Sequence, residues 1–121
     1  MVYNELYENF KRAVPESKGF CDNREKLCAL DRTDGMHVLF GSCVCPYIEV
    51  TMDHGDIITL KKIASFFEQM ASDNNHLVAE VLEFSIIETL ISKRKMLLEK
   101  WSYLFGPNTN KSIKDVERYY F

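Results

Sequence analysis

Glycine and proline are scarce in this chain, eight residues among 121. That scarcity excludes a collagenous fibre and a low-complexity linker, and a hydrophobic content of 46% excludes a disordered tail. Long apolar runs are missing too, so no segment is expected to cross a bilayer. The opening residues, MVYNELYENF, carry Glu5 and Glu8 where a secretory leader would be basic and then apolar. No glycine-rich phosphate loop, GxSxG elbow or HExxH helix occurs. The expectation is a soluble, cytoplasmic protein with residues 1–121 forming a single helical domain. A domain of that size buries roughly two-thirds of its unfolded surface.

Charge of one sign is also short overall, with a net of −3. Its distribution is more telling. Residues 1–92 hold eight Lys/Arg against fifteen Asp/Glu, and residues 93–121 hold seven against three. Only the last quarter is basic, which argues against DNA or RNA as a direct partner.

The periodicity is mostly helical. Tyr3, Leu6, Tyr7, Phe10 and Val14 recur at spacings of three and four, and Pro15 stops the pattern. Residues 16–35 read as polar loop, with room for a short helix around Arg24–Ala29. From 36 to 52 the pattern changes: MHVLF and YIEVTM are short β-rich runs on either side of Gly41-Ser-Cys-Val-Cys-Pro46, for which a small β-hairpin is the simplest reading and a buried irregular segment the competing one. Asp56 is a helix N-cap, followed by a stripe of Ile57, Leu60, Ile63, Ala64, Phe67 and Ala71. Ser72 or Asp73 should cap the next helix, about 74–91. There Leu77, Val78, Val81, Leu82, Phe84, Ile86 and Leu90 surround most of the axis. A helix so apolar belongs at the centre of its bundle. A third stretch, 93–105, places Leu97, Trp101, Leu104 and Phe105 inside. It either continues the preceding helix or bends near Ser92-Lys93. Gly106-Pro107 is read as a stop with a left-handed cap, and a last helix spans about 109–120 with Ile113, Val116 and Tyr120 on one face. The fold class is therefore mainly α, a bundle of four to five helices with the hairpin at 36–52.

Four cysteines raise metal and nucleophile chemistry. Their spacing, Cys21-x6-Cys28-x14-Cys43-x-Cys45, contains no C-x2-4-C knuckle of the kind a tetrahedral zinc site uses. A cytosolic setting disfavours disulfides. Reduced thiols, some packed in the core, are the plainer reading, with no metal and no cofactor. A pair formed by Cys43 or Cys45 with His37 or His54 would need hydrogen-bond contact and an orienting third group. Glu88 lies among apolar positions on its helix and must be paired, hydrogen-bonded or neutral. A structural carboxylate is the reading preferred over a general acid. Lys93-Arg94-Lys95 reads as a solvated face, and Trp101 with Phe105 as core.

Three segments carry a resemblance. IASFFEQMA is followed by EVLEFSIIETL and then by LFGPNTNKSI (104–113), a Gly-Pro stop leading into an amphipathic helix. Across about residues 57–120 the pattern resembles small helical bacterial immunity proteins of toxin–immunity gene pairs, including contact-dependent growth inhibition systems. The resemblance implies no chemistry of its own: such a protein binds one toxin domain in the cytosol and blocks its active site. Many such toxins are nucleases with basic clefts. Two other classes stand beside it, a small zinc- or cysteine-dependent enzyme and a helical adaptor or regulator.

An acidic surface would suit a basic cleft. The strip His76, Glu80 and Glu83 is the polar face of the helix at 74–91, and Asp53 and Asp56, in the turn before residue 57, extend its field, with Asp56 also claimed by its cap. The equal alternative is that these carboxylates only keep the surface solvated. Tyr47, next to that turn, is the expected aromatic anchor. Complementary charge of this kind mainly raises association rates and selects partners. No membrane contact is expected, and oligomeric state is left open.

Overall fold

The computed structural model describes residues 1–121, and every regular element is helical. In chain order these are α1 (Leu6–Ala13), α2 (Lys18–Cys28), α3 (Met36–Leu39), α4 (Cys45–His54), α5 (Ile57–Ala71), α6 (His76–Glu80), α7 (Glu88–Trp101) and α8 (Pro107–Tyr120). A π-helical stretch, Phe40–Val44, joins α3 to α4, and another, Val81–Ile87, joins α6 to α7. Six rods result, with 36–54 and 76–101 each forming one of them. The expected count of four to five is thus exceeded. No helix is long and apolar enough to cross a membrane.

The expected hairpin at 36–52 is corrected to a helical rod. Apart from Cys45, its buried residues Met36, Leu39, Phe40, Cys43, Val44, Tyr47, Ile48, Thr51 and Met52 recur at spacings of three and four, the period of a helix. Pro46 was the misleading signal. It has no N–H to offer the Ser42 carbonyl four residues back, and Arg24 Nε donates to that oxygen instead, at 2.9 Å. The π turn ends on a Cys45 N–H to Phe40 carbonyl bond, which places Pro46 in the first turn of α4.

Other boundaries follow local chemistry. Asp56 caps α5 as expected, its Oδ1 accepting from the Thr59 amide at 3.2 Å. The next helix begins at His76 rather than 74, capped by Asn75 Oδ1 on the Leu77 amide, while Asp73 accepts from the Asn75 amide. At Arg94 the backbone leaves helical geometry (φ −141°, ψ 46°), so the rod bends there. Gly106 has φ −76° and opens α8 as its N-cap, so the left-handed cap expected of it is absent.

One hydrophobic cluster of 31 buried residues fills the interior. Phe40 stands edge-on to both Tyr7 and Phe10, with ring centroids 6.1 Å apart in each pair, and Phe10 meets Phe66 at 5.3 Å. Val78, Val81, Leu82, Ile86, Ile87 and Leu90 bury the 76–101 rod against 36–54, α5 and α8. Leu77 and Phe84 remain exposed, so the rod is less apolar all round than the wheel suggested.

Ala29 ends α2 in the left-handed region, φ 55°, with its amide bonded to Glu25 and Lys26 carbonyls. A side chain is disfavoured there, so Ala29→Gly should raise stability by about 0.5–1 kcal/mol net of the extra freedom it gives the unfolded chain. Urea denaturation of the two proteins checks this; a destabilised variant would refute it.

Candidate protein-binding surface

The residues expected to form one acidic surface fall in different places. Tyr47 is only 8% exposed, its ring 5.5 Å from that of Phe20, which leaves little of it for a partner. Asp53 receives both terminal nitrogens of Arg94, at 2.5 and 3.1 Å, and the Arg94 guanidinium holds its carboxyl below the usual range. Asp56 is engaged by Thr59, whose hydroxyl donates to Oδ2 at 2.7 Å. His76 is exposed at the start of α6, and Glu80 and Glu83 are half-buried further along the same rod. Among the six, the charge of Asp56 acts on Tyr47, and that of Glu80 acts on Glu83.

Around them the structure adds residues from α8. Glu83, Phe84, Asp115, Val116, Tyr119 and Tyr120 line an open groove of about 310 Å³. Phe84 is 39% exposed and Tyr120 52%, and their rings meet edge to face with centroids 6.1 Å apart. Burial raises the Glu83 carboxyl above its ordinary pKa, and the charges of Asp115 and Glu80 add to the rise. None of the three carboxylates is paired with a cation of the chain. An aromatic trough edged by uncompensated carboxylates can seat a Lys or Arg side chain, its stem on the rings and its charge beside the acids. Asp115 and the two tyrosines were missed because they come from a helix some thirty residues away. The run Tyr119-Tyr120-Phe121 at the end of an amphipathic helix was the signal that could have found them.

Cysteine chemistry is arranged differently from the pairs considered. Neither Cys43 nor Cys45 hydrogen-bonds to His37 or His54. Cys45 donates its thiol to the Ser85 carbonyl at 2.9 Å, and burial pushes that thiol up to about 12. His37 Nδ1 lies 2.7 Å from Ser85 Oγ. Burial also lifts Cys21, up to about 12, with Cys43 nearby contributing. A thiol raised that far stays protonated and unreactive near neutral pH. Cys28 is exposed, and all four are free. No three His, Cys, Asp or Glu side chains converge as a metal site would require. Glu88 is half-buried and makes no ion pair.

The family described as Domain of unknown function (DUF7674) matches residues 7–120, nearly the whole chain. The chain belongs to that family. No curated protein and no solved structure matches it. In this DUF7674 chain, the groove between the 76–101 rod and α8 sets an exposed aromatic pair beside Glu83 and Asp115, two carboxylates without an ion-pair partner in the chain.

Proposed function

We propose that this chain is a non-catalytic immunity protein that neutralises a bacterial toxin domain by covering a basic site, a nuclease cleft being the chemistry that fits. The single observation in support is Glu83. A half-buried carboxylate beside Asp115 and Glu80, with no cation of its own, burdens the fold in a way a partner's Lys or Arg would relieve. The raised pKa has a definite sign. Ionised Glu83 lowers stability, by an amount that vanishes below the ordinary glutamate pKa and grows as pH rises through the folded value. Glu83→Gln should therefore raise the melting temperature at pH 7, leave it unchanged in acid, and weaken partner binding.

On this reading the neighbouring gene should encode a toxic domain, and co-expression with its product tests it. Host cells should survive with the wild-type chain and die with the Glu83→Lys, Asp115→Lys variant, whose fold circular dichroism would verify. Protection by that variant equal to wild type would move the interface elsewhere. A neighbouring gene product that binds without being toxic would favour the adaptor class instead.

A further inference from the structure

The groove between the 76–101 rod and α8 is small and mixed in chemistry. At about 310 Å³ it stands at the bottom of the range for ligand pockets, about 300–1,000 Å³, so it admits one side chain and not a helix face. Glu83 lines it from the π-helical stretch Val81–Ile87 and Asp115 from α8. Phe84 and Tyr120 stand nearly perpendicular, with 86° between their planes, and both are partly open to solvent. Neither carboxylate pairs with a cation of the chain. An occupant must therefore satisfy acceptors on two elements and ring surface at the same time.

We propose that this groove is an arginine pocket, in which a guanidinium of the partner lies against Phe84 and Tyr120 and donates to Glu83 and Asp115 together. The inference rests on the reading above in taking the groove as the face that meets a basic partner, and it goes further by choosing between the two basic side chains.

Three properties make that choice. Glu83 and Asp115 belong to different elements, and a guanidinium spreads five N–H donors over three nitrogens in a planar fork, whereas an ammonium reaches from one nitrogen only. The guanidinium is also flat and weakly hydrated, so it stacks on an aromatic ring with less loss of bound water than an ammonium suffers. Finally, Glu83 is half-buried, and burial together with the charges of Asp115 and Glu80 raises its carboxyl above the ordinary value. Arginine keeps its charge in such a place, where the ammonium of lysine shifts readily once desolvated. A fully methylated ammonium would suit the rings but has no N–H for either acid.

Titration of the full chain with N-acetyl-arginine amide, N-acetyl-lysine amide and tetramethylammonium, followed by NMR, tests the pocket. The arginine compound should shift the resonances of Glu83, Phe84, Asp115 and Tyr120 with millimolar affinity. The lysine compound should bind about tenfold more weakly, the worth of one further charge-assisted hydrogen bond in an open groove, and tetramethylammonium more weakly still. Asp115→Asn should erase the preference for arginine, because a single carboxylate serves either cation. Tyr120→Leu should weaken arginine more than lysine. Equal binding of arginine and lysine by wild type, no shift at the groove, or a preference that survives Asp115→Asn overturns the proposal. Tightest binding of tetramethylammonium also overturns it, in favour of a cage for methylated amines. Failure of the immunity reading looks different. An arginine preference in a chain that protects no host leaves the pocket standing, and protection without that preference removes the pocket alone.

Discussion

Replacing Lys11 with methionine is expected to destabilise the fold by about 2 kcal/mol, towards the low end of what losing hydrogen bonds between charged groups costs. Lys11 is 7% exposed on α1, and its ammonium lies 2.8 Å from Asp22 Oδ1 and 3.2 Å from Glu25 Oε2 on α2. It also sits 4.5 Å from the centroid of the Tyr7 ring. Methionine keeps the length of the side chain while removing the charge. Glu25 would still receive the Tyr7 hydroxyl at 2.8 Å and Arg32 at 2.9 Å, and Asp22 is open enough to turn to water. Those remaining partners keep the loss at the lower end of the range.

The pH dependence has two limbs. Lys11 and then Lys18 pull Asp22 down to about 2. Burial raises Glu25, but hydrogen bonds from Tyr7, Arg32 and Lys11 lower it further than burial lifts it. A depressed carboxylate stabilises the fold above its unfolded pKa, near 4, and that contribution fades as pH falls towards 2. Burial opposes the charge on Lys11, yet its bonds to Asp22 and Glu25 raise it overall, so its share persists below the unfolded lysine value and is lost as pH rises through the folded one. Urea denaturation at pH 7 and pH 3 should show a smaller difference between wild type and variant in acid. A loss at pH 7 below about 1 kcal/mol would mean that the network is held by Arg32 and Tyr7 without Lys11.

How much of this was legible in sequence depends on how far each residue's partners lie. Asp56 as a cap, Pro15 as a stop and the Leu60–Ile63–Phe67 stripe were readable because their partners are within one or two turns. The rod at 36–54 carried a helical phase in Leu39, Phe40, Cys43, Val44 and Ile48, but Gly41 and Pro46 read as a turn. What allows Pro46 there is Arg24, a donor from another helix, and a local window does not contain it. The π stretch Val81–Ile87 shifts the helical phase, so Phe84, placed inside by the wheel, stands at the surface. The same limit applies to the binding surface. Of the groove's lining, Glu83 could be singled out from its own helix, whereas Asp115, Tyr119 and Tyr120 depend on α8 returning alongside it. Tyr47 was chosen for residue type beside a supposed turn. Once that segment is helical, its phase turns the ring inward.

Glu68→Ala should cost about 2–3 kcal/mol, because its carboxylate closes the start of α8 from a different helix. Oε2 accepts from the Asn108 amide at 3.2 Å and from its Nδ2 at 2.9 Å, and Oε1 accepts from the Thr109 amide and hydroxyl, both at 2.9 Å. A capping carboxylate at a helix N-terminus contributes about 1 kcal/mol, and Thr109 is fully buried, so its donors would be left without a partner. Burial opposes the charge on Glu68, but these four bonds hold its carboxyl below the ordinary range. The contribution is therefore present above the usual glutamate pKa and should fade as pH falls through the folded value. Gly106 shows why the geometry is tight. A Cβ there would lie 2.5 Å from Glu68 Cδ and 2.6 Å from Oε1, with φ at an ordinary −76°, so the glycine serves to make room. Gly106→Ala should thus push the carboxylate off its donors and lose much of the same stability. With Glu68 truncated to alanine, the three atoms nearest the added methyl group are gone, and the double variant should be little worse than Glu68→Ala alone. Denaturant midpoints of the four proteins form the cycle that measures this coupling. Additive losses would mean that Gly106 and Glu68 act independently and that the carboxylate does not hold α8 in place.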